Sequence, residues 1–266
     1  MPRTYLFVPG DRPERFAKAM ASGADAVIID LEDAVAPTAK DAARDALAAW
    51  LDAGQGPVVV RINDAASPGF AADLAVAAHP NVAAIMLPKA ERAADLARVH
   101  AAAPLAKLLP LIETARGIDG LHEVASAPGV QRLVFGSIDL QLDLGIDGDN
   151  EELLLFRSQV VLASRLADLA APVDGVSTVI DDAGALAAAT RRALRLGFGA
   201  KLCIHPRQLA AVQAGFAPST EELAWAERVV TAAASAAGGA VAVDGRMVDR
   251  PVLLRAQALL ARRQPP

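Results

Sequence analysis

The chain has 266 residues, a length that suits either two average domains or a single α/β barrel. It carries a net charge of −5, one cysteine and only 4% aromatic residues among a 53% hydrophobic content. These values argue against a nucleic-acid-binding protein, an internal disulfide and a cysteine-rich zinc site. No apolar run approaches the roughly 18 residues of a membrane span, and Thr4 leads directly into an apolar segment. We therefore expect a cytoplasmic α/β protein that binds neither membranes nor nucleic acid.

Eight short apolar segments alternate with alanine-rich segments of helical character. The predicted strands are Tyr5–Val8, Ala26–Asp30, Val58–Ile62, Ala83–Leu87, Lys107–Ile112, Arg132–Phe135, Asp174–Ser177 and Lys201–Ile204. The predicted helices between them are Glu14–Ser22, Lys40–Leu51, Ala71–His79, Glu91–Ala102, Glu151–Ala170 and Ala185–Leu196. Strands without strict alternation are typical of a parallel sheet that is covered on both faces. Eight such units favour a (β/α)₈ TIM barrel, and the single glycine of the first turn, Gly10, argues against a dinucleotide-binding sheet.

The chain continues for about 60 residues beyond the eighth strand, more than one barrel helix requires. This tail has the pattern of three helices, which we predict over Pro206–Ala214, Ser219–Ala237 and Pro251–Arg263, with a break at Gly238-Gly239. Ser219 and Glu222 have the spacing of a capping box at the start of the second helix. We expect a TIM-barrel catalytic domain over residues 1–217 and a helical extension over residues 218–266 that covers the barrel or reaches a neighbouring subunit.

Polar side chains follow nearly every predicted strand. In a parallel barrel these positions share one face, where functional groups collect. In strand order they are Asp11 and Arg12, then Asp30, Glu32 and Asp33, then Arg61 and Asn63, then Lys89, then Glu113 and Thr114, then Ser137 and Asp139, then Ser177 and Thr178, and finally His205. Because charged groups are costly to bury without partners, their convergence is the main indication of a functional site.

Glu113 and Asp139 follow consecutive strands, so both carboxylates can reach one point above the barrel. Hard oxygen ligands, completed by water and substrate oxygens, suit Mg²⁺. Alternatively, each carboxylate caps its following helix or pairs with a basic side chain. Arg61 follows three valines and could clamp a substrate carboxylate, or it could form a structural ion pair with Asp30, Glu32 or Glu113.

The remaining polar positions are less specific. Glu32 and Asp33 could hold metal-bound water, or they could simply solvate a loop or cap a helix. For Cys203 and His205 we favour a buried inert cysteine and a structural histidine over an acid–base or thiol pair. The segment from Gly10 to Pro13 could bind a ligand, but its residues equally suit a turn and a helix start.

Eight ordered motifs together resemble the citrate lyase beta-subunit-like (CitE-like) proteins of the HpcH/HpaI aldolase/citrate lyase family. The resemblance runs from about residue 3 to about residue 263 and is far more specific than any one motif. The motifs are Leu6 to Phe16 (LFVPGDRPERF), Asp30 to Val35 (DLEDAV), Val60 to Asn63 (VRIN), Leu87 to Lys89 (LPK), Ile112 to Gly117 (IETARG), Phe135 to Leu140 (FGSIDL), Lys201 to Pro206 (KLCIHP) and Asp244 to Asp249 (DGRMVD).

The resemblance implies a Mg²⁺-binding TIM barrel that cleaves a carbon–carbon bond in a 3-hydroxy-acyl thioester. It implies that Glu113 and Asp139 are metal ligands, that Arg61 anchors the substrate carboxylate, and that Asp249 acts from a neighbouring subunit's carboxy-terminal segment. Such proteins are typically trimers or hexamers, which would explain the long tail. Related pyruvate-type aldolases have a histidine base where this chain has Asp33, so the departure favours the thioester lyases.

We therefore predict a Mg²⁺-dependent lyase acting on a citryl-, citramalyl- or malyl-type thioester of CoA or a carrier protein, releasing a 2-oxo acid and an acetyl thioester. Arg61, Asp249 and Glu32 are its predicted catalytic residues, and Gly136 and Ser137 are predicted to contact the substrate together with Arg61 and Glu113. A malate- or citramalate-synthase-type transferase with thioester hydrolysis is the first alternative, and a non-enzymatic ligand-binding barrel is the second. A pocket distinguishes substrates that differ by one methylene by only about 1–3 kcal/mol, so the sequence does not identify the acyl group.

Overall fold

Eight parallel strands close into a barrel in the computed structural model, which describes residues 1–235 and 241–262. The strands are β1 (Thr4–Pro9), β2 (Ala26–Asp30), β3 (Val58–Arg61), β4 (Val82–Leu87), β5 (Lys107–Ile112), β6 (Val134–Phe135), β7 (Val173–Asp174) and β8 (Ala200–Cys203). Each strand pairs in parallel with the next, and β8 pairs with β1. The predicted TIM barrel is confirmed.

Helices connect the strands and surround the barrel. They are α1 (Phe16–Met20), α2 (Lys40–Asp52), α3 (Phe70–Ala77), α4 (Ala93–Ala102), α5 (Ala115–Asp119), α6 (Leu121–Ala125), α7 (Ser137–Leu144), α8 (Leu154–Leu166), α9 (Ala183–Leu196) and α10 (Leu209–Phe216). Short 3₁₀ turns at Pro13–Arg15, Pro37–Ala39 and Pro206–Gln208 precede α1, α2 and α10. No helix of the described residues is long and apolar enough to cross a membrane.

The barrel interior follows the period of two that strand geometry imposes. Its buried core is built from Tyr5, Ile28, Val59, Ala84, Met86, Leu109, Leu111, Val134, Val173, Ala200 and Leu202. Continuing these inward-facing lines by two residues reaches the carboxyl ends of the strands. Ile28 is followed by Asp30, Val59 by Arg61, Leu111 by Glu113 and Val134 by Gly136. The same alternation that builds the core therefore directs these residues toward the top of the barrel.

A buried ion cluster ties β7 and β8 to α8. Asp174 accepts hydrogen bonds from Arg157 Nε at 2.8 Å and Lys201 Nζ at 3.2 Å. Burial alone would raise the pKa of Asp174, but the charges of Lys201 and Arg157 hold it below its ordinary value. Arg157 also donates to the Asp149 carbonyl at 2.7 Å, so the cluster fixes the loop that follows α7.

Several predicted boundaries differ from the structure. The seventh strand, predicted over Asp174–Ser177, is Val173–Asp174 in the structure, and Gly175 after it packs closely against Ser137. The predicted helix Glu151–Ala170 is confined to α8, and α5, α6 and α7 were not predicted. The predicted helix ends at Ala237 and Arg263, and the break at Gly238-Gly239, lie outside the described residues.

The chain divides into two compact units, residues 1–215 and residues 216–266. The described part of the second unit contains α11 (Thr220–Ser235), an antiparallel pair of strands, β9 (Val241–Val243) and β10 (Arg246–Val248), and α12 (Arg250–Leu260). Its small core consists of Ala226, Val229, Val248, Ala256 and Leu259. The predicted capping box is confirmed, since Ser219 and Glu222 exchange hydrogen bonds of 2.8 and 3.1 Å.

Candidate active site

A cavity of about 420 Å³ opens at the carboxyl ends of the barrel strands. Its described walls are Phe7, Pro9, Asp30, Asp33, Ala34, Arg61, Leu111, Glu113, Gly136, Ser137, Ile138, Asp139, Val176, Leu202 and Ile204. The charged residues come from the β2, β3, β5 and β6 side, and apolar residues from β1, β7 and β8 face them. The volume is that of a small-molecule site with one polar and one apolar wall.

Glu113 is deeply buried in this cavity, with 2% of its surface exposed. The backbone N–H of Lys89 donates to its Oε1 at 2.8 Å. On the other side, a Cβ at Gly136 would lie 2.6 Å from Oε2, so only glycine leaves room for this carboxylate. Burial and the charge of Asp139 raise the pKa of Glu113 to about 8. The ionised form of Glu113 is therefore disfavoured in this site when no cation is present.

Asp139 is half-buried in the first turn of α7, which begins immediately after Gly136. Two neighbouring carboxylates beside an open cavity suit a divalent cation, because its charge would offset both the burial of Glu113 and the mutual repulsion. The described part of the chain holds no cluster of three or more histidine, cysteine, aspartate or glutamate residues arranged for a metal. Water and substrate oxygens would have to complete the coordination, which is the usual pattern for Mg²⁺.

Arg61 lies across the cavity with 11% of its side chain exposed. Its Nε and Nη2 donate to the two oxygens of Asp30 at 2.7 and 2.6 Å, and Nη1 forms an ion pair with Glu32 Oε2 at 2.8 Å. Its guanidinium carbon also lies 4.9 Å from the centre of the Phe7 ring. Burial would lower the pKa of Arg61, but hydrogen bonding and charge from Asp30 raise it. The structural ion pair is thus present, and the Nη1–Nη2 edge is the one suited to a further carboxylate.

Glu32 is buried between two cations, although Asp33 next to it is exposed. Its Oε1 accepts from Lys89 Nζ at 3.2 Å, while its contact with Arg61 is an ion pair without the geometry of a directed hydrogen bond. Burial raises the pKa of Glu32, and the charges of Arg61 and Lys89 oppose that rise. The structure therefore places Glu32 where it orients Arg61.

Ser137, a predicted substrate contact, is 2% exposed and lines the cavity. Its Oγ has no hydrogen-bond partner among the described residues. A Cβ at Gly175 would lie 2.6 Å from this oxygen, so a glycine is required opposite it. A buried hydroxyl without a partner is costly, and a ligand in the cavity could supply the missing bond.

Three other residues singled out in the sequence make contacts of their own. Asp249 belongs to the C-terminal unit, where its Oδ1 accepts from the Val252 N–H at 3.1 Å and caps α12. His205 accepts from the Arg207 N–H at 3.1 Å and caps the following 3₁₀ turn. Cys203 is fully buried, and burial raises the pKa of its thiol to about 12. His205 thus caps a turn and Cys203 lies in the core, and neither lies within a thiol or acid–base pair among the contacts described for them.

Sequence reasoning assigned no role to Lys40, whose ammonium supports the β2 loop. Its Nζ donates to the carbonyl oxygens of Leu31 and Glu32 at 2.7 and 2.6 Å and to Asn63 Oδ1 at 2.8 Å. All three of its donors are therefore used. Lys40 begins α2, and nothing in its surrounding sequence indicates that it turns back toward the loop. Lys89, in contrast, is among the polar residues that the sequence predicts at the strand ends, although no role was assigned to it.

The fold is a closed parallel barrel, and two acidic groups and an arginine surround one cavity at its carboxyl face. These features define a TIM-barrel protein whose site suits a divalent cation and a carboxylate ligand. The chain belongs to the HpcH/HpaI aldolase/citrate lyase family, whose model matches residues 3–206. The predicted family is confirmed.

Individual relatives extend this match over nearly the whole chain. A citrate lyase subunit beta-like protein of Mycobacterium tuberculosis is 40% identical, and the alignment covers 97% of this chain and 94% of the relative. A (3S)-malyl-CoA thioesterase of Cereibacter sphaeroides is 35% identical, with 98% and 94% covered. The structure of protein CitE from M. tuberculosis in complex with magnesium, acetoacetate and coenzyme A matches with a TM-score of 0.88 at 40% identity, covering 98% of this chain and 97% of that one.

Proposed function

We propose that this chain is a Mg²⁺-dependent carbon–carbon lyase that cleaves a 3-hydroxy-acyl thioester into a 2-oxo acid and an acetyl thioester. The observation that carries the proposal is the convergence of Glu113, Asp139 and Arg61 on one cavity. The magnesium, acetoacetate and coenzyme A bound by the related CitE support the metal and the substrate class. Citryl, citramalyl and malyl thioesters, carried by CoA or by a carrier protein, are all consistent with this chemistry.

In the proposed site, Glu113 and Asp139 would hold the metal, and the Lys89 N–H fixes Glu113 by donating to its Oε1. When bound, Mg²⁺ would lower the pKa of the substrate hydroxyl and stabilise negative charge on its oxygen. Arg61 binds the substrate carboxylate through the remaining N–H groups of Nη1 and Nη2, with Nη1 shared between the substrate and Glu32. Holding the carboxylate in one orientation aligns the bond that breaks with the thioester carbonyl.

Cleavage needs two proton movements. The substrate hydroxyl gives up its proton to water in the cavity as its oxygen becomes the oxo group. The bonding pair moves to the α-carbon of the thioester, which then gains a proton. We assign this second transfer to Asp249 of a neighbouring copy in a trimer or hexamer. Support for the assignment comes from the motif around Asp249 and from its carboxylate, which is exposed in the C-terminal unit. We further propose that Gly136 and Ser137 contact the substrate.

Thioester hydrolysis is the second candidate, because one relative is a (3S)-malyl-CoA thioesterase. It would yield a free hydroxy acid instead of an oxo acid, either directly or after a synthase-type condensation. The two reactions share the cavity, the metal and the carboxylate anchor, so the site alone does not separate them.

A thioester screen with product analysis tests the proposal. Citramalyl-, malyl- and citryl-CoA are incubated with the protein in Mg²⁺ and, separately, in excess EDTA. The proposed lyase forms acetyl-CoA and a 2-oxo acid from at least one of them, only with Mg²⁺. Release of free CoA and a hydroxy acid without acetyl-CoA would contradict the lyase and support hydrolysis.

A further inference from the structure

Lys89 has an unusual backbone conformation at the end of β4. Its φ of 45° lies in the left-handed region that non-glycine residues rarely adopt. The other two such residues in the described chain are Asp168 and Asp244, and aspartate tolerates this region better than lysine does. The neighbouring Ala90 N–H bonds to the Leu111 carbonyl at 3.1 Å, which helps to hold the turn. Strain of this kind persists where the surrounding structure and a function require it.

The left-handed turn directs the Lys89 N–H at Glu113 Oε1, at 2.8 Å. Gly136 bounds the other side of the same carboxylate. A glycine at position 89 would make the same backbone contact without strain. The presence of lysine therefore indicates a use for the side chain.

The side chain meets the other carboxylate of the site. Lys89 Nζ lies 3.2 Å from Glu32 Oε1, while Arg61 Nη1 lies 2.8 Å from Glu32 Oε2. Glu32 is thus shared between two cations, although Lys89 is 43% exposed and Arg61 only 11%. Without the lysine, the buried Glu32 would have Arg61 as its remaining cation and would compete for the donors that a substrate carboxylate needs.

We propose that Lys89 is a positioning residue: its N–H fixes Glu113 for the metal, and its ammonium shares the charge of Glu32 with Arg61, which leaves Arg61 able to bind a carboxylate. The proposal rests on the proposed function for the identity of the metal and the carboxylate ligand. It requires no contact between Lys89 and the substrate.

Calorimetry on the full chain tests the proposal without turnover, using Mg²⁺ alone and then pyruvate in saturating Mg²⁺. For Lys89→Gly we expect Mg²⁺ affinity within about twofold of wild type, because glycine keeps the backbone turn. Pyruvate should bind about 10-fold more weakly, the usual effect of losing a group that supports a ligand-binding residue. Lys89→Arg should restore most of that loss, because it restores a cation.

The coupling to Glu32 distinguishes positioning from a general structural effect. In a Glu32→Gln background, Lys89→Gly should change the pyruvate affinity by less than about twofold. The reason is that residue 32, which Lys89 contacts, then carries no charge that could compete for Arg61. Leu155→Ala, on the exposed face of α8, serves as a control that leaves both affinities unchanged.

Three outcomes would overturn the proposal. These are unchanged pyruvate binding in Lys89→Gly, an equal loss in the Glu32→Gln background, or a wild-type protein that binds Mg²⁺ but not pyruvate. A loss of Mg²⁺ affinity above tenfold in Lys89→Gly would contradict the backbone role. Failure of the lyase proposal would appear separately, as an absence of thioester cleavage in a protein that still binds both ligands.

Discussion

Replacing Glu113 by glutamine separates the charge of this side chain from its shape. The residue is 2% exposed, and its Oε1 accepts from Lys89. Glutamine fills the same space and keeps an oxygen for that bond, but it does not ionise. We therefore expect the variant to be more stable than wild type without metal at alkaline pH, and to bind Mg²⁺ far more weakly.

The size and sign of the effect follow from the pKa of Glu113, which rises from an ordinary value of 4.5 to about 8. A carboxyl group with a higher pKa in the folded state stabilises the fold fully below the unfolded pKa, and this contribution is lost as pH rises toward the folded pKa. At 1.36 kcal/mol per pH unit, the loss in wild type reaches roughly 4 kcal/mol at pH 8. Relaxation and water entry reduce it, so we expect the variant to gain about 2–4 kcal/mol at pH 8 and under about 1 kcal/mol at pH 5.

Thermal unfolding in EDTA at pH 5 and pH 8 measures this difference. For a domain of this size the midpoint of the variant should exceed that of wild type by about 5–10 °C at pH 8 and nearly match it at pH 5. Glu14→Gln is the matched control, since Glu14 is exposed and should show no pH-dependent gain. Equal midpoints at pH 8, or an equal gain at both pH values, would refute the buried, proton-binding state of Glu113.

Three further predictions concern separate parts of the molecule. Gly136→Ala places a Cβ 2.5 Å from Glu113 Cβ and so displaces this carboxylate. Mg²⁺ titration should show an affinity at least about 10-fold lower, while circular dichroism shows that the fold is retained. Unchanged affinity would contradict the close approach. Asp174→Asn removes the negative charge that pairs with the buried Arg157 and Lys201. Urea unfolding should show a free energy of unfolding lower by about 3–5 kcal/mol, with Mg²⁺ affinity unchanged. A decrease below about 1 kcal/mol would argue against the ion cluster. Mixing inactive Arg61→Ala and Asp249→Ala proteins should restore part of the thioester cleavage, whereas verified mixed oligomers without activity would contradict the intersubunit role of Asp249.

The barrel and the charged face of the cavity were largely predictable from the sequence. Apolar strands specify the core, and the period of two that places Val59 inside the barrel also places Arg61 at its top. The same reasoning directs Glu113 into the cavity after Leu111. These positions depend only on the alternating directions of side chains along a strand, which follow once the strand is located.

Contacts that depend on turns were not predictable in the same way. Strands β6 and β7 have two residues each, too few to establish a pattern, and α7 was missed although it carries Asp139. The two bonds of Lys89 depend on a left-handed backbone conformation that the sequence favours at glycine, not at lysine. The sequence offered three acids as ion-pair partners of Arg61. The register of β2 against β3 places Arg61 beside Asp30, and the structure shows ion pairs with Asp30 and Glu32.

A crystal structure with Mn²⁺ in place of Mg²⁺ and with pyruvate bound would test the central claim most directly, because anomalous scattering locates Mn²⁺ unambiguously. We predict one metal ion bound by Glu113 and Asp139, with pyruvate oxygens completing its coordination and the pyruvate carboxylate on Arg61. A metal ion bound away from these two carboxylates, or pyruvate bound without contact to Arg61, would contradict the account.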